Sequence, residues 1–399
     1  MLCRVDSPWG SVELDDEVLA AHQEALPDDG ALAPTRLCYA AAHIVLLPGY
    51  AQKGRPEEIA SFIDWLATMA FRRHLDRLGF GIAEAMDTAQ RFDIGWVNAS
   101  ELIRRTGALG LAQGFVAGAG VDHLDAIGCE QDLIDGVVWQ ARFVQAQGGI
   151  PILLPLPWLS QNQADEEIYV SVYSAIIDAL EGPLFVHWLG AMFLTSLEGY
   201  FPGRSFTRIM AHDPSKVRGA KLSLLDHELE VTLRRKLLTQ DQILLTGDDF
   251  HFADLIAGEA GPTGQQVESA ASTTRIGPHT VPIGDFSHAL LGILDAIAKP
   301  ASLALRFLAL GDLARYRALM QPCETLSRHL FSAPTQHYKA GLAFLAFLNG
   351  HQSNPMLVNH EERARTPEHY IEAARLASRA GVLRNAAQAR DALLSLFSK

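Results

Sequence analysis

Residues 150–188, IPILLPLPWLSQNQADEEIYVSVYSAIIDALEGPLFVHW, decide the fold that we expect for this chain. The short apolar run Ile150–Pro155 is followed by a stretch predicted to be helical, about Glu166–Leu180. A second short apolar run, Pro183–Trp188, comes directly after it. Short buried strands that alternate with longer helices are typical of β/α units around a parallel sheet. The stretch therefore predicts one strand–helix–strand unit.

The same alternation extends in both directions along the chain. Six further runs predict strands at Leu37–Leu47, Gly81–Met86, Gly114–Ala119, Val217–Lys221, Gln242–Thr246 and Thr280–Phe286. With the two strands above they make about eight, and eight β/α units close into a barrel of about 250 residues. An open doubly wound sheet is the alternative, but no GxGxxG follows the first strand, which weakens a dinucleotide-binding interpretation. The expected fold is an α/β protein with a (β/α)8 TIM barrel.

Three regions are expected along the chain. Residues 1–35 are acidic and rich in Pro and Gly, and they predict an N-terminal arm. Residues 36–290 contain the expected strands and predict the catalytic barrel domain. Residues 291–399 predict a helical C-terminal region packed on the barrel, and its first helix is expected at Leu290–Ile297.

The charge balance excludes several classes of partner. The chain has 399 residues, with 33 Lys and Arg against 46 Asp and Glu, a formal net charge of −13. Binding to a phosphate backbone needs clustered basic residues, so nucleic acid is not an expected partner. No apolar stretch reaches the roughly 18 residues of a membrane span, and the first residues lack the apolar core of a signal peptide. Since the four cysteines are also scattered, we expect a cytoplasmic protein without a membrane partner.

Candidate site residues are those that end the expected strands, because active sites of such barrels lie at the carboxyl ends of the strands. Polar side chains at these positions are Glu84, Asp87, Gln90, His187, Trp188, Lys221, Asp248, Asp249, His251 and His288.

Lys221 is the most informative candidate. It ends the run that starts at Val217, so an alternation of period two can direct its side chain into the barrel mouth. In a dry pocket the ammonium form is disfavoured, and the neutral amine is the nucleophile that forms an imine with a carbonyl compound. The alternative is a lysine that reaches the rim or pairs with Asp248.

The histidines support a competing hypothesis. Imidazole and carboxylate groups from separate strands can hold a divalent metal ion, and His187, His212 and His251 lie near strand ends or loops with acidic residues close by in sequence. No HxH or HExxH spacing is present. The corresponding function is a metal-dependent isomerase, epimerase or lyase.

Two motifs around Lys221 resemble a known superfamily. Val217-Arg218-Gly219-Ala220-Lys221, followed after a helix by Leu244-Leu245-Thr246-Gly247-Asp248-Asp249, is similar to the Gly-x-Lys and Ser-Gly-Asp-Asp-like strands of the dihydrodipicolinate synthase/N-acetylneuraminate lyase superfamily. Residues 152–157 resemble its fourth strand, and Pro183–Trp188 lies where that family has a Pro-x-x-x-Tyr-Asn strand. The similarity extends in order over roughly residues 36–350, as in a divergent dihydrodipicolinate-synthase-like branch.

The resemblance implies roles for individual residues. Lys221 falls on the imine-forming lysine, and His187 replaces the tyrosine that relays protons. The second strand of the family ends in Gly-Thr-Thr-Gly-Glu, which holds a 2-oxo carboxylate. Here residues 85–90 read AMDTAQ, so only Thr88 matches well and Asp87 would repel a carboxylate.

The leading hypothesis is a Schiff-base-forming class I aldolase or lyase with no cofactor, acting on a keto sugar, another polyhydroxylated ketone or a 2-oxo compound. Lys221 forms the imine and His187 shuttles protons, whereas Asp87, Thr88, Asp249 and His251 bind hydroxyl groups of a small carbohydrate-like substrate. A barrel that has lost catalysis and binds such a ligand as a sensor is a further alternative. The resemblance and the apolar helix faces predict a homo-oligomer.

Overall fold

The computed structural model describes residues 1–26, 35–50, 56–258 and 272–397. Residues 257–280 are rich in Gly, Ser and Thr, a composition that predicts a loop or irregular segment, and part of this segment lies outside the described residues. The chain begins with an antiparallel hairpin of β1 (Leu2–Ser7) and β2 (Gly10–Asp15), followed by the short helix α1 (Ala20–Glu24).

Eight parallel strands then form a closed barrel, in the order β12-β3-β4-β5-β6-β7-β8-β9. The (β/α)8 prediction is confirmed, and the open doubly wound alternative is wrong. After the hairpin, the strands in chain order are β3 (Cys38–Ala41), β4 (Gly81–Glu84), β5 (Phe115–Ala119), β6 (Ile150–Leu153), β7 (Leu184–Leu189), β8 (Val217–Ser223), β9 (Ile243–Thr246), β10 (Ser272–Ile276), β11 (His279–Ile283) and β12 (His288–Leu291).

Helices surround the barrel and follow it. They are α2 (Pro56–Ile59), α3 (Trp65–Arg77), α4 (Arg91–Gly107), α5 (Glu130–Ala146), α6 (Pro157–Gln161), α7 (Glu166–Asp178), α8 (Ser205–Met210), α9 (His227–Leu238), α10 (Phe252–Ala257), α11 (Leu294–Ala309), α12 (Leu313–Leu330), α13 (Tyr338–Leu348), α14 (Pro367–Arg379) and α15 (Ala386–Phe397). Short 3-10 helices lie at Ala60–Phe62, Asp87–Ala89, Thr195–Leu197, Thr335–His337 and Val358–Ala364.

Aspartate caps explain where several helices begin. The side chains of Asp64, Asp165 and Asp226 each accept a backbone N–H from the first turn of α3, α7 and α9. The apolar spacing of the sequence predicts a single helix over Pro56–Leu78. The structure divides it, because Ile63 is extended and Asp64 caps a new helix.

The eighth strand is not the one expected. Thr280–Phe286 is predicted to be a barrel strand, but β11 pairs antiparallel with β10 in a separate hairpin. The barrel is closed by β12, which pairs with β3 and β9. A strand of four residues is too short to show a period in the sequence, and its apolar residues continue into α11. The helix expected at Leu290–Ile297 therefore begins at Leu294, and residue 290 lies inside β12.

The β10–β11 hairpin covers the amino-terminal end of the barrel. Its buried Ile276 and Ile283 belong to the same apolar cluster as Ile150 at the start of β6. His288 accepts the N–H of Leu37 on Nδ1 at 2.8 Å, and its Nε2 donates to a carbonyl of the hairpin at 3.0 Å. Burial lowers the pKa of His288 to about 3. The prediction that His288 binds substrate is wrong. His288 is a neutral structural residue at the amino-terminal end of the barrel, opposite the carboxyl ends of the strands.

The chain termini pack against each other outside the barrel. The β1–β2 hairpin lies on α14 and α15, where the Asp15 N–H donates to Ser378 Oγ at 2.8 Å and the Ala386 N–H donates to Asp16 at 2.8 Å. Farther along, the Tyr316 hydroxyl on α12 donates to the Ala253 carbonyl at 2.7 Å and joins the C-terminal helices to the barrel.

Among the described residues, no helix combines the length and apolar character that crossing a bilayer requires.

A buried ion pair joins β4 to its neighbouring helices. The Arg72 guanidinium on α3 donates to both Glu84 carboxylate oxygens, at 2.6 and 2.8 Å, and both side chains are fully buried. Thr106 on α4 donates to the same carboxylate at 2.6 Å, and Arg72 also donates to the His43 carbonyl at 2.8 Å. Glu84 was expected to bind substrate, and this prediction is wrong because its side chain faces the helix layer.

We expect Glu84→Gln to lower the free energy of unfolding by about 3–5 kcal/mol, because it leaves the buried Arg72 charge without its counter-ion. Urea unfolding followed by circular dichroism measures the change. The matched control is Glu101→Gln, which removes a carboxylate from the partly exposed pairs with Arg104 and Arg105 and is expected to cost less than about 1 kcal/mol. Equal costs for the two variants would contradict a structural role of the buried pair.

Candidate active site

A cavity of about 480 Å³ opens at the carboxyl ends of the barrel strands. Its lining comes from β7, β8 and the segments that follow β4, β5, β6, β9 and β12, together with the start of α13. This is the end of a (β/α)8 barrel at which catalytic residues are found.

Lys221 lies at the base of this cavity, paired in register with His187 on β7 and Leu245 on β9. The alternation of β8 places both Lys221 and Ser223 on the cavity side. Gly247 directly follows β9 and packs against β8, where a Cβ atom would lie 2.6 Å from the Leu222 carbonyl oxygen and 2.9 Å from Lys221 Cε. The close approach to the backbone of β8 therefore requires a glycine directly before Asp248.

The surroundings of the Lys221 amine disfavour its charged form. It makes no hydrogen bond or ion pair with any residue in the described ranges. Burial lowers the pKa of Lys221 from 10.5 to about 8, whereas the negative charges of Asp249 and Asp87 oppose this shift. Burial also raises the pKa of the Asp249 carboxyl above its ordinary value of 3.8. Desolvation thus moves the lysine and Asp249 toward their neutral forms.

A backbone N–H shortly after β12 holds the Asp249 side chain in the cavity. Its Oδ1 accepts the Ile293 N–H at 3.2 Å, and only 5% of the residue is exposed. Its neighbour Asp248 points elsewhere, because its carboxylate accepts the N–H groups of Phe250 and His251 at 2.8 and 3.1 Å and binds His251 Nδ1 at 2.9 Å. Asp248 and His251 were both expected to bind substrate. They instead form the turn after β9, outside the cavity lining.

His187 faces the cavity beside Lys221 and is 4% exposed. Its Nε2 lies 3.4 Å from Ser223 Oγ, and its Nδ1 has no hydrogen-bond partner among the described residues. Burial, reinforced by the Lys221 charge, holds the pKa of His187 well below 6.5. The ring is therefore neutral at neutral pH, and its role as a proton shuttle stays a prediction.

A hydroxyl pair from two distant parts of the chain closes one side of the cavity. Thr88 Oγ1 lies 2.8 Å from the Tyr338 hydroxyl, and both residues are buried. The Tyr338 ring stacks on Phe331 with centroids 4.3 Å apart, which fixes its orientation. Next to this pair, Lys339 binds Asp87 at 3.2 Å, so the carboxylate expected in the site is paired with a cation.

Tyr338 is a functional candidate that sequence reasoning missed. It begins α13, well beyond the barrel strands, so no strand-end argument selects it. The signal available in the sequence was the segment Gln336–Gly341, which resembles the start of a late helix in the superfamily.

Arg91 is the one guanidinium in the described cavity lining, and its N–H groups all donate to other groups of the protein. Arg91 donates to Asp122 at 2.9 Å, to Gln140 at 2.6 Å and to the Gly118 carbonyl at 2.8 Å. Among the described lining residues, Lys221 is therefore the one cation without a protein partner. The remaining wall is mostly apolar, and its members are Met86, Phe92, Val121, Leu154, Leu189, Phe193, Leu194 and Phe331.

Two further predicted substrate residues lie away from the cavity. The Gln90 side-chain amide donates to the Val358 carbonyl at 3.2 Å and accepts its N–H at 2.8 Å, so it ties the loop after β4 to the C-terminal region. Trp188 points to the other face of β7 and packs on Phe206 with centroids 4.8 Å apart. Both are structural residues, and the prediction that they bind substrate is wrong.

The alternative metal ligands do not converge. His187 lies in the cavity, His251 binds Asp248, and His212 lies before β8 at the other end of the barrel, 2.8 Å from Asp178. In the ranges that the structure describes, no group of three or more His, Cys, Asp or Glu side chains is arranged to hold a metal ion.

No curated protein matches this chain, but solved structures share its fold. YagE from E. coli K12, a prophage protein of the dihydrodipicolinic acid synthase family solved with pyruvate, has a TM-score of 0.61 at 11% identity, over 88% of this chain and 99% of its own. Dihydrodipicolinate synthase from Bacillus clausii has a TM-score of 0.60 at 12% identity, over 86% and 97%. CdNal from Clostridium difficile, solved with mannosamine, has a TM-score of 0.55 at 12% identity, over 86% and 98%.

These likenesses confirm the resemblance in fold expected from the segments around Lys221 and Asp249. At such low identity they concern the fold alone. A family model described as "Protein of unknown function (DUF993)" matches residues 10–398. The chain therefore belongs to the DUF993 family, and its barrel has the fold of the dihydrodipicolinate synthase and N-acetylneuraminate lyase structures.

Proposed function

We propose that this protein is a class I lyase or aldolase in which Lys221 forms an imine with a carbonyl substrate. The observation that carries the proposal is the Lys221 amine itself. It lies at the base of a cavity at the strand ends, without a protein hydrogen bond among the described residues, and burial brings its pKa to about 8. A nucleophilic amine needs this lowered pKa to be neutral in useful amounts.

Imine formation uses the two groups whose pKa values burial has moved. The neutral Lys221 amine attacks the carbonyl carbon and gives a carbinolamine. The protonated Asp249 carboxyl then transfers its proton to the carbinolamine hydroxyl, which leaves as water while the nitrogen lone pair forms the C=N bond. The products are a protonated imine and the Asp249 carboxylate, so atoms and charge balance. The new carboxylate then stabilises the positive imine in a poorly solvated site.

The protonated imine acts as the electron sink for carbon–carbon cleavage or β-elimination. A proton must then move between substrate and protein, and the Thr88–Tyr338 hydroxyl pair is suited to this because it lies in the cavity wall with a fixed orientation. His187 can accept or pass a proton, but burial disfavours its charged form. We therefore propose Tyr338, through Thr88, as the principal proton relay and His187 as a neutral hydrogen-bonding group.

For the substrate we propose a neutral ketone with hydroxyl groups, such as a keto sugar. Arg91 has no donor left for a substrate carboxylate, because Asp122, Gln140 and backbone carbonyls occupy its guanidinium. Asp249 and Thr88 offer hydrogen-bonding groups for substrate hydroxyls, whereas the apolar wall accommodates the carbon chain and excludes water. A homo-oligomer and a cytoplasmic location stay predictions.

Borohydride reduction of the enzyme with pyruvate, dihydroxyacetone or a ketohexose tests the imine. We expect at least one of these carbonyl compounds to be fixed on the peptide that contains Lys221, as measured by mass spectrometry of a digest. Lys221→Met abolishes this label, whereas the control Lys236→Met, at an exposed lysine on α9, leaves it unchanged. A compound that the wild type turns over without labelling Lys221 would remove the imine mechanism.

The rate of labelling should follow the pKa of Lys221. The pKa is lowered from 10.5 to about 8, so the reactive neutral amine is lost as pH falls below 8. At pH 7 about one lysine in ten is neutral, against about one in 3000 for an ordinary lysine. With cyanoborohydride as the reductant, labelling should rise from pH 6 as the Lys221 amine becomes neutral, and fall again at higher pH as the Asp249 carboxyl that donates the proton ionises. A midpoint near 10.5 would show that Lys221 is solvated like a surface lysine.

Tyr338→Phe tests the proton relay. An imine of a ketone exchanges its α-hydrogen with solvent, and we expect the variant to exchange about 100-fold more slowly in D2O, as followed by proton NMR. Labelling of Lys221 should stay within a few-fold of the wild type, because Tyr338 does not form the imine. The matched control is Tyr169→Phe, which removes a buried tyrosine hydroxyl outside the cavity lining. If His187→Asn slows exchange and Tyr338→Phe does not, the relay is His187.

A further inference from the structure

A second crevice, of about 320 Å³, lies outside the barrel between α1, α3, α11 and α13 and the segment before α15. It shares no lining residue with the cavity around Lys221. Its volume is at the lower end of the range for small-molecule sites. The crevice brings together the N-terminal arm, the barrel layer and the C-terminal helices.

Basic side chains gather at this crevice. Lys299 on α11 and Arg384 before α15 both line it, and neither forms an ion pair with a residue in the described ranges. This is notable in a chain with 46 acidic and 33 basic residues, where a surface cation has many carboxylates available. The charge of Arg384 contributes to lowering the pKa of Lys299, so the two cations lie close enough to repel each other.

Two histidines lie beside these cations in the crevice. The rings of His74 on α3 and His351 after α13 lie 4.4 Å apart, and both line the crevice. Burial lowers the pKa of His74 to about 4 and that of His351 to about 3, and Arg384 contributes to both shifts. Both histidines are therefore neutral at pH 7, and Lys299 and Arg384 are the two cations among the described lining residues of the crevice.

A buried acceptor without a partner lies in the same crevice. Asp295 Oδ2 accepts the His43 N–H at 2.9 Å and binds its ring Nδ1 at 2.7 Å. Its Oδ1 has no hydrogen-bond partner among the described residues, although the Asp295 side chain is fully buried and lines the crevice. A buried carboxylate oxygen without a hydrogen bond lowers the free energy of unfolding, so a ligand that donates a hydrogen bond to this oxygen would gain binding energy.

We propose that this crevice binds a small organic anion that also carries a hydrogen-bond donor, such as a hydroxycarboxylate. The anionic group binds between Lys299 and Arg384, and a hydroxyl or ammonium group of the same molecule donates to Asp295 Oδ1. The ligand offsets the repulsion between Lys299 and Arg384 and satisfies the buried acceptor.

Isothermal titration of the full chain with malate and with succinate tests the site, because the two probes differ by one hydroxyl group. We expect malate to bind and succinate to bind at least about tenfold more weakly, since it cannot donate to Asp295. Lys299→Met and Arg384→Met should each weaken malate binding by about tenfold or more. Both variants retain an unbranched side chain, and Arg384 is exposed, so the fold should be preserved.

Two control variants locate the binding. Lys236→Met makes the same charge change on the exposed face of α9 and should leave the affinity for malate unchanged. Lys221→Met should also leave it unchanged, which separates this crevice from the barrel cavity and from the proposed imine chemistry. The proposal is overturned if the wild type binds neither probe at millimolar concentration, if Lys221→Met abolishes binding, or if malate and succinate bind equally.

Discussion

Closure of the barrel by β12 is the constraint on which the site depends. Because β12 pairs with both β3 and β9, the carboxyl ends of all eight strands meet at one rim, and alternate residues face a closed interior. Lys221 then has no route to bulk water except through the cavity. The same closure brings Asp249 to it, since the turn after β9 is held by the Ile293 N–H directly after β12. Desolvation follows from this geometry and sets the chemistry of both groups.

The C-terminal region is part of the site as well as of the scaffold. Tyr338 and Lys339 at the start of α13 reach Thr88 and Asp87 in the loop after β4, so a hydroxyl pair and an ion pair join the barrel to the helical region at the cavity. Loss of these contacts would open one wall of the cavity to solvent. The second β/α loop, which follows β4, and the last third of the chain therefore depend on each other.

Much of the fold and part of the site could be predicted from the sequence. Seven of the eight barrel strands contain enough apolar residues to be recognised, and period-two alternation correctly predicts that Lys221 lies on the cavity side. The predictions for Glu84 and Gln90 fail for one physical reason. A polar residue near a strand end satisfies its hydrogen bonds with whichever element packs there, and both found partners in structural elements.

By itself the sequence determined the β/α alternation and the run around Lys221, because hydrophobic periodicity and a short motif are local properties. Only the tertiary structure decided that β12 closes the barrel, that Tyr338 joins the cavity and that Asp295 retains an unpaired oxygen. These depend on contacts between residues far apart in the chain, such as the 250 positions that separate Thr88 from Tyr338. The pKa of Lys221 was decided in the same way, since burial is a property of the packed barrel and not of the five residues that end in this lysine.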